Sequence, residues 1–376
     1  MGIEGNAWKP GPNPENKRPL WEKMGQLSEN ATEDLESAGL IEGDPKKVFE
    51  AVAMHARDKE KGVEDAYSPA VFYMGGGMRG ADGVGTAMAM QRQRLLGGFD
   101  TVAGVSTGAS MAASHVTDQF HRGSWFYRVL GTSKEFINPW NYFLGKSIAD
   151  LSIMPKTYRG EGRVRPYKTD FDTEEQNVII GVTNYETGEQ MLVRPTPDTL
   201  IDVVHASSAM PPPVYQADIR IPHILPDNRR VTDGDLSNPL PIRSVLADLE
   251  IQGKKQPTHI LVVANRARTP SEMTKPQKYV EKKLLAKLPE GLRAAYDRHE
   301  QTFQAELEYL RNSGIPYVVI WTDGSLGTFS RNKKQIPQTT LRSFLRTSNT
   351  IKHYVPQKAD AKEEDNLEQM VEAAEW

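Results

Sequence analysis

Apolar residues in this chain come in short, nearly unbroken runs. Val71-Phe72-Tyr73-Met74 is apolar without a break and ends at Gly75. An unbroken run of that length predicts a strand buried on both faces. Thr101–Val105 has the same character, and His259–Ala264 and Pro316–Trp321 are two more such runs. Between the first two, Ala81–Leu96 reads as a helix ended by Gly97-Gly98. Ala109–Phe120 reads as a helix whose small residues (Ala109, Ser110, Ala112, Ala113, Ser114) allow close packing on a sheet. Asn177–Thr183 and Glu189–Arg194 flank Tyr185-Glu186-Thr187-Gly188 and predict a hairpin. Leu200–Ser208 reads as a short helix, and Arg230-Val231-Thr232 as a strand leading into Asp233. Helices are predicted near Gln277–Leu288 and over Leu292–Asn312. Strands alternating with helices predict an α/β fold, a three-layer α/β/α sandwich around a mainly parallel central sheet.

The pattern is uneven along the chain. Residues 1–67 are polar and broken, and predict an N-terminal arm with one amphipathic helix over Lys46–Met54, introduced by Asp44-Pro45. Residues 68–355 carry the periodic segments and predict one domain. Residues 356–376 are dominated by Lys, Asp, Glu and Ala and predict a frayed tail. Trp125–Ile153 is aromatic-rich and predicts helix in pieces.

Composition narrows the function classes. The net charge of −3 gives no bulk footprint for nucleic acid, so no nucleic-acid partner is expected. There is no cysteine, which removes disulfides, thiol catalysis and cysteine-ligated metals. No His/Asp/Glu cluster has metal spacing, so no metal and no cofactor is expected. No run approaches the ~18 apolar residues of a membrane span. Met1–Lys23 lacks an apolar h-region, and Asn6 stands where an N-myristoylation start needs Ser or Thr. A cytoplasmic setting is therefore expected. The sequence sets no oligomeric state.

Candidate chemistry sits in two glycine turns. Gly104-Val105-Ser106-Thr107-Gly108 follows a strand and opens a helix. Its G-x-S-x-G form is that of a nucleophile elbow, which exposes a serine hydroxyl on a sharp strand-to-helix turn. The bland alternative is a plain glycine turn. Gly75-Gly76-Gly77-Met78-Arg79-Gly80 offers backbone N–H groups at a helix N-terminus, which suits a developing oxyanion. The same glycines fit a dinucleotide fingerprint. That reading needs an acidic residue closing the next strand, where Val105-Ser106 stands instead; Asp100 precedes that strand. A third element, Asp233-Gly234-Asp235, precedes Leu236-Ser237-Asn238-Pro239-Leu240-Pro241.

With Ala206-Ser207-Ser208-Ala209-Met210-Pro211, these motifs occur in the order found in patatin-like phospholipases, and the chain resembles that family, the patatin/cytosolic phospholipase A2 group, over about residues 69–350. It is most similar to the bacterial stand-alone members, through Gln119–Gly123 and Leu292–Trp321. The resemblance implies a hydrolase domain over 68–355 that cleaves carboxylic esters of lipids. It implies a Ser–Asp dyad with Ser106 as nucleophile and Asp233 as base, and an oxyanion loop of Gly76, Gly77 and Arg79. A lipid or ester substrate and peripheral membrane contact follow from it. Two positions depart from the family pattern. Met74 stands where Asp or Glu is frequent, and Asp235 where a second glycine is commoner. Neither removes a catalytic group, and Asp235 would raise the pKa of Asp233.

Other readings stay open at this level. Arg79 holds the loop, binds an anionic head group, or is a surface arginine. Phe120–Phe143 lines an acyl pocket, docks on lipid, or is core. A His-assisted α/β-hydrolase esterase would need a histidine after the acid, as His259, His299 or His353 could supply. A catalytically silent patatin-like binding protein would keep the motifs without turnover.

Overall fold

The structure is a computed structural model and describes residues 33–355 apart from 145, 162–165, 212–213, 215–218, 222–224, 226–228 and 270–284. Nine strands form one sheet: β1 (Ile41–Gly43), β2 (Pro69–Tyr73), β3 (Thr101–Val105), β4 (Asn177–Asn184), β5 (Gln190–Val193), β6 (Ile219–Arg220), β7 (Arg230–Asp233), β8 (His259–Ala267) and β9 (Tyr317–Thr322), in the order β1-β9-β8-β2-β3-β4-β7-β6 with β5 also on β4. The centre, from β9 through β8, β2 and β3 to β4, is parallel. The flanks are antiparallel, including the expected β4–β5 hairpin.

Strand alternation builds two cores. Val71 and Tyr73 of β2, Leu261 and Val263 of β8, and Val318 and Ile320 of β9 pack to one side. They meet α1 (Pro45–Glu60), α2 (Gly80–Arg92), α3 (Thr107–Val116) and α9 (Gln335–Tyr354). Ala70, Phe72, Ile260, Val262, Val319 and Trp321 point the other way, onto α7 (Ile242–Ile251) and α8 (Glu290–Asn312). Side chains that alternate with period two therefore cover both faces with helices, giving the three layers. Shorter helices, α4 (Phe120–Trp125), α5 (Ile153–Tyr158) and α6 (Leu200–Ser207), lie between the strands that carry the site. The aromatic-rich stretch is helical in pieces, with a π-turn at Phe126–Leu130 and a 3-10 turn at Pro139–Leu144.

Two findings go beyond the sequence expectation. Part of the segment expected as an arm belongs to the fold: β1 pairs with β9, with Ile41 opposite Ile320. Asp44 caps α1 by accepting from the Lys47 N–H at 3.0 Å, and Val48, Phe49 and Val52 are buried in the first core. Second, α9 packs along α2 through polar small residues. Thr340 donates to Ala81 O at 2.9 Å, Thr86 and Ser343 share a hydrogen bond at 2.9 Å, and a side chain at Gly85 would collide with the Thr340 backbone. The expected helix near 277–288 and the expected tail lie largely or wholly outside the described residues.

Candidate active site

The serine of the second glycine turn stands where β3 ends and α3 begins. Its backbone is at φ 53°, ψ −127°, a left-handed conformation that a non-glycine residue holds only under constraint. The constraint is visible on both sides. Gly108 packs so close to the end of β2 that any side chain there would collide with Tyr73 O. Ser207 at the end of α6 accepts from the Ser106 N–H at 2.8 Å and donates to Gly181 O at 2.6 Å, tying the turn to β4. Ser208 adds a bond to Ser106 O at 3.2 Å.

Sheet register then delivers the acid. Val105 lies opposite Gly181 on β4, and the next β4 residue, Val182, lies opposite Asp233 on β7. Neighbouring rows of one strand thus bring together two residues 127 positions apart, and Ser106 Oγ donates to Asp233 Oδ2 at 2.7 Å. The other oxygen, Oδ1, accepts from the Asp235 N–H at 2.9 Å, which orients the carboxylate. Thr183 donates to Asp233 O at 2.8 Å and fixes the turn from behind. Ser106 and Asp233 are both buried. Burial, with the charge of Asp235 added, pushes the Asp233 carboxyl well above the ordinary carboxylate range, against the opposing Ser106 hydrogen bond.

The first glycine turn is fastened to the second. Thr107 donates to Gly77 O at 3.0 Å and shares a hydrogen bond with the Tyr127 hydroxyl at 2.9 Å. Gly77 has φ 56°, and a Cβ there would lie 2.6 Å from Thr328 O, so glycine is required. The Met78 N–H is engaged by Thr328 O at 2.9 Å. Arg79 Nε donates to Gly76 O at 3.2 Å, so this side chain holds the loop. Asn265 on β8 supports the strand end by donating to Met74 O at 2.7 Å.

Ser106, Thr107, Gly77 and Asp233 open onto a narrow cavity of ≈ 80 Å³. Its walls are apolar: Met78, Val84, Met111, Phe126, Phe136, Leu151 and Met154 contribute. Among the described residues no group of His, Asp and Glu is arranged to hold a metal ion, and no helix is long and apolar enough to cross a membrane.

Sequence reading named Ser106, Asp233, Gly76, Gly77 and Arg79, and these residues lie on adjoining turns. It did not foresee the Ser207 strap, the Thr107–Tyr127 link or Asn265. Position in a named motif was the available signal for Ser207, and position in the aromatic-rich stretch for Tyr127; Asn265 carried none. Of the histidines considered, His115 is buried, with Nε2–H donating to Leu96 O at 2.9 Å and Nδ1 facing the Tyr73 hydroxyl at 2.8 Å. His259 stands beside Thr258 and Tyr67, His353 against Tyr354, and His223 is outside the described residues. His299 reaches Asp235, with Nε2 3.4 Å from Oδ2.

A strained strand-to-helix serine, hydrogen-bonded to a buried aspartate, thus lies beside an apolar cavity in a mixed α/β fold. Residues 74–246 match the family model for patatin-like phospholipases. The family implies lipid acyl hydrolase activity. Among solved structures, the crystal structure of VipD from Legionella pneumophila is similar at TM-score 0.37 and 12% identity, over 77% of this chain and 67% of that one. The comparison with curated proteins found no match.

Proposed function

We propose that the chain is a lipid acyl hydrolase, of phospholipase A or carboxylesterase type, working through a Ser106–Asp233 dyad and an acyl-serine intermediate. The observation that carries this reading is the 2.7 Å hydrogen bond from Ser106 Oγ to Asp233 Oδ2. A serine hydroxyl is a weak nucleophile until a base takes its proton. Burial makes this carboxylate more basic than an ordinary one, which improves it for that task.

The steps follow. Ser106 Oγ bonds to the ester carbonyl carbon while its proton passes to Asp233 Oδ2. The carbonyl oxygen takes the negative charge and is stabilised by the backbone N–H groups of Gly76 and Gly77, with Arg79 bracing their loop; one such donor contributes roughly 3–4 kcal/mol in comparable sites. Collapse breaks the bond to the alcohol, which leaves with the proton from Asp233. Water, activated by the same carboxylate, then cleaves the acyl-serine. The apolar cavity beside Ser106 receives the acyl chain.

Contact with a lipid surface is part of the proposal. The segment that lines the cavity with Phe126 and Phe136 also carries Trp140 at 74% and Leu144 at 68% exposure, and Phe329 of the cavity wall is 42% exposed. Exposed apolar residues beside an apolar pocket suit an aggregated substrate.

The test is turnover of a nitrophenyl ester. Ser106→Ala and Asp233→Asn should each lose at least two orders of magnitude while folding normally, because base catalysis contributes about 10²–10⁴-fold. His205→Ala, His259→Ala and His353→Ala should keep most activity. One of these three proving essential in a folded variant overturns the dyad.

A further inference from the structure

Two carboxylates share the turn that ends β7, and they face different ways. Asp233 meets Ser106. Asp235 lies against the glycine loop, where any side chain at Gly75 would collide with its carboxylate. Its N–H bonds Asp233 Oδ1 at 2.9 Å, and its Oδ2 lies 3.4 Å from His299 Nε2. One residue therefore touches the proposed base, the proposed oxyanion loop and a histidine on α8. That histidine lies outside the segment matching the family model, which ends at residue 246.

The charged groups facing this pair come from four elements. They are Arg79 of the glycine loop, Arg266 of β8, Glu300 of α8 and Asp233 of β7. Arg266 is engaged by Glu300 through bonds of 3.0 and 3.2 Å, and Arg79 braces Gly76. His299 is the cation at ion-pair distance from Asp235, and Tyr296 stacks on its ring at 6.3 Å between centroids. Burial alone would lower the His299 pKa, but the Asp235 hydrogen bond and charge outweigh it and raise it. Burial would likewise raise Asp235, and the His299 hydrogen bond and charge, with Arg79 and Arg266, hold it low.

Resting on the dyad reading above, we propose that His299 is a positioning residue: it holds the Asp235 carboxylate against the glycine loop and offsets its charge, so that Asp233 can face Ser106 ionised. The direction of the effect is fixed by electrostatics. Without the imidazolium, the negative charge of Asp235 disfavours a second negative charge on Asp233, and Asp233 stays protonated to higher pH. A protonated Asp233 cannot accept the Ser106 proton. Removing Asp235 as well takes away the charge that needed offsetting.

The test is the pH dependence of Ser106 labelling by a fluorophosphonate, followed by intact mass in wild type, His299→Gln, Asp235→Asn and the double variant. His299→Gln should move the acid limb up by about one pH unit or more while keeping the alkaline plateau, because neutral imidazole offers no offset there either. Asp235→Asn should move the limb down, and the double variant should coincide with Asp235→Asn. A limb unmoved in His299→Gln, a shift that persists in the double variant, or a plateau that falls with the limb overturns the proposal. Should His299→Gln not fold, imidazole NMR decides: His299 should titrate above an ordinary histidine and fall in Asp235→Asn, and an unchanged midpoint overturns the pairing. A wild type that takes no adduct sinks the dyad reading and this inference with it. A wild type labelled at Ser106 whose limb ignores His299 sinks this inference alone.

Discussion

Ser207→Ala removes one oxygen and tests how the elbow is held. The Ser207 hydroxyl is fully buried, accepts from the Ser106 N–H at 2.8 Å and donates to Gly181 O at 2.6 Å. Alanine strips both partners at once, so the buried Ser106 N–H and Gly181 O each lose this hydrogen bond. Each loss costs about 1–3 kcal/mol, and partial relaxation places the sum near 2–4 kcal/mol. At the lower end that lowers the melting temperature by roughly 2–3 °C in a chain of 376 residues. The local effect is larger than the global one suggests. Ser106 is held at φ 53°, a conformation that costs on the order of 1–3 kcal/mol and persists only where its surroundings impose it. Freed of the strap, the serine relaxes and its hydroxyl leaves Asp233, so labelling by a fluorophosphonate should slow by at least about tenfold, the equivalent of 1.4 kcal/mol. Ser208→Ala is the control, because its bond to Ser106 O is a longer one of 3.2 Å. Thermal melts and labelling rates on both variants decide. If Ser207→Ala is no worse than Ser208→Ala on either measure, the strap is not what holds the elbow.

Three further outcomes are expected. The pH profile of kcat/KM should fall on the acid side with a midpoint well above the ordinary Asp value of about 3.9, because the base works only when ionised and burial raises its pKa; a limb at or below that value contradicts the buried-base geometry. Ala149→Trp, in the cavity wall, should depress hydrolysis of long-chain esters at least about tenfold more than of acetate esters, and equal losses would mean that the cavity does not take the acyl chain. His115, whose pKa burial lowers to about 4, should stay neutral in NMR titrations until well below the usual histidine midpoint. The unfolded state binds this proton first, so about 3 kcal/mol of stability present above pH 6.5 is lost as pH falls toward 4. A His115 midpoint above 6.5 contradicts its placement.

The central strands were legible because parallel strands are buried on both faces, and Val71–Met74, His259–Ala264 and Pro316–Trp321 read as continuous apolar runs. The Ser106 turn was legible because a strained turn needs glycines at fixed positions, and these survive in the sequence as a motif. What failed to show is instructive. Helix α9 meets α2 through Thr340, Ser343 and Thr347, so part of its buried face is written in residues that hydropathy counts as polar. Strand β1 is three residues long with one apolar side chain, too short to carry a period, and its place comes from pairing with β9. The contact between Asp235 and His299 joins residues 64 positions apart on different elements, and no local pattern announces it.

The account turns on Ser106 and Asp233 acting as one unit, and intact-mass labelling with a fluorophosphonate tests that most directly. Wild type should gain a single adduct at Ser106, Ser106→Ala should gain none, and Asp233→Asn, folded and with its hydroxyl in place, should label at least about a hundredfold more slowly. An adduct that persists undiminished in Ser106→Ala, or an Asp233→Asn variant that labels at the wild-type rate, contradicts the account.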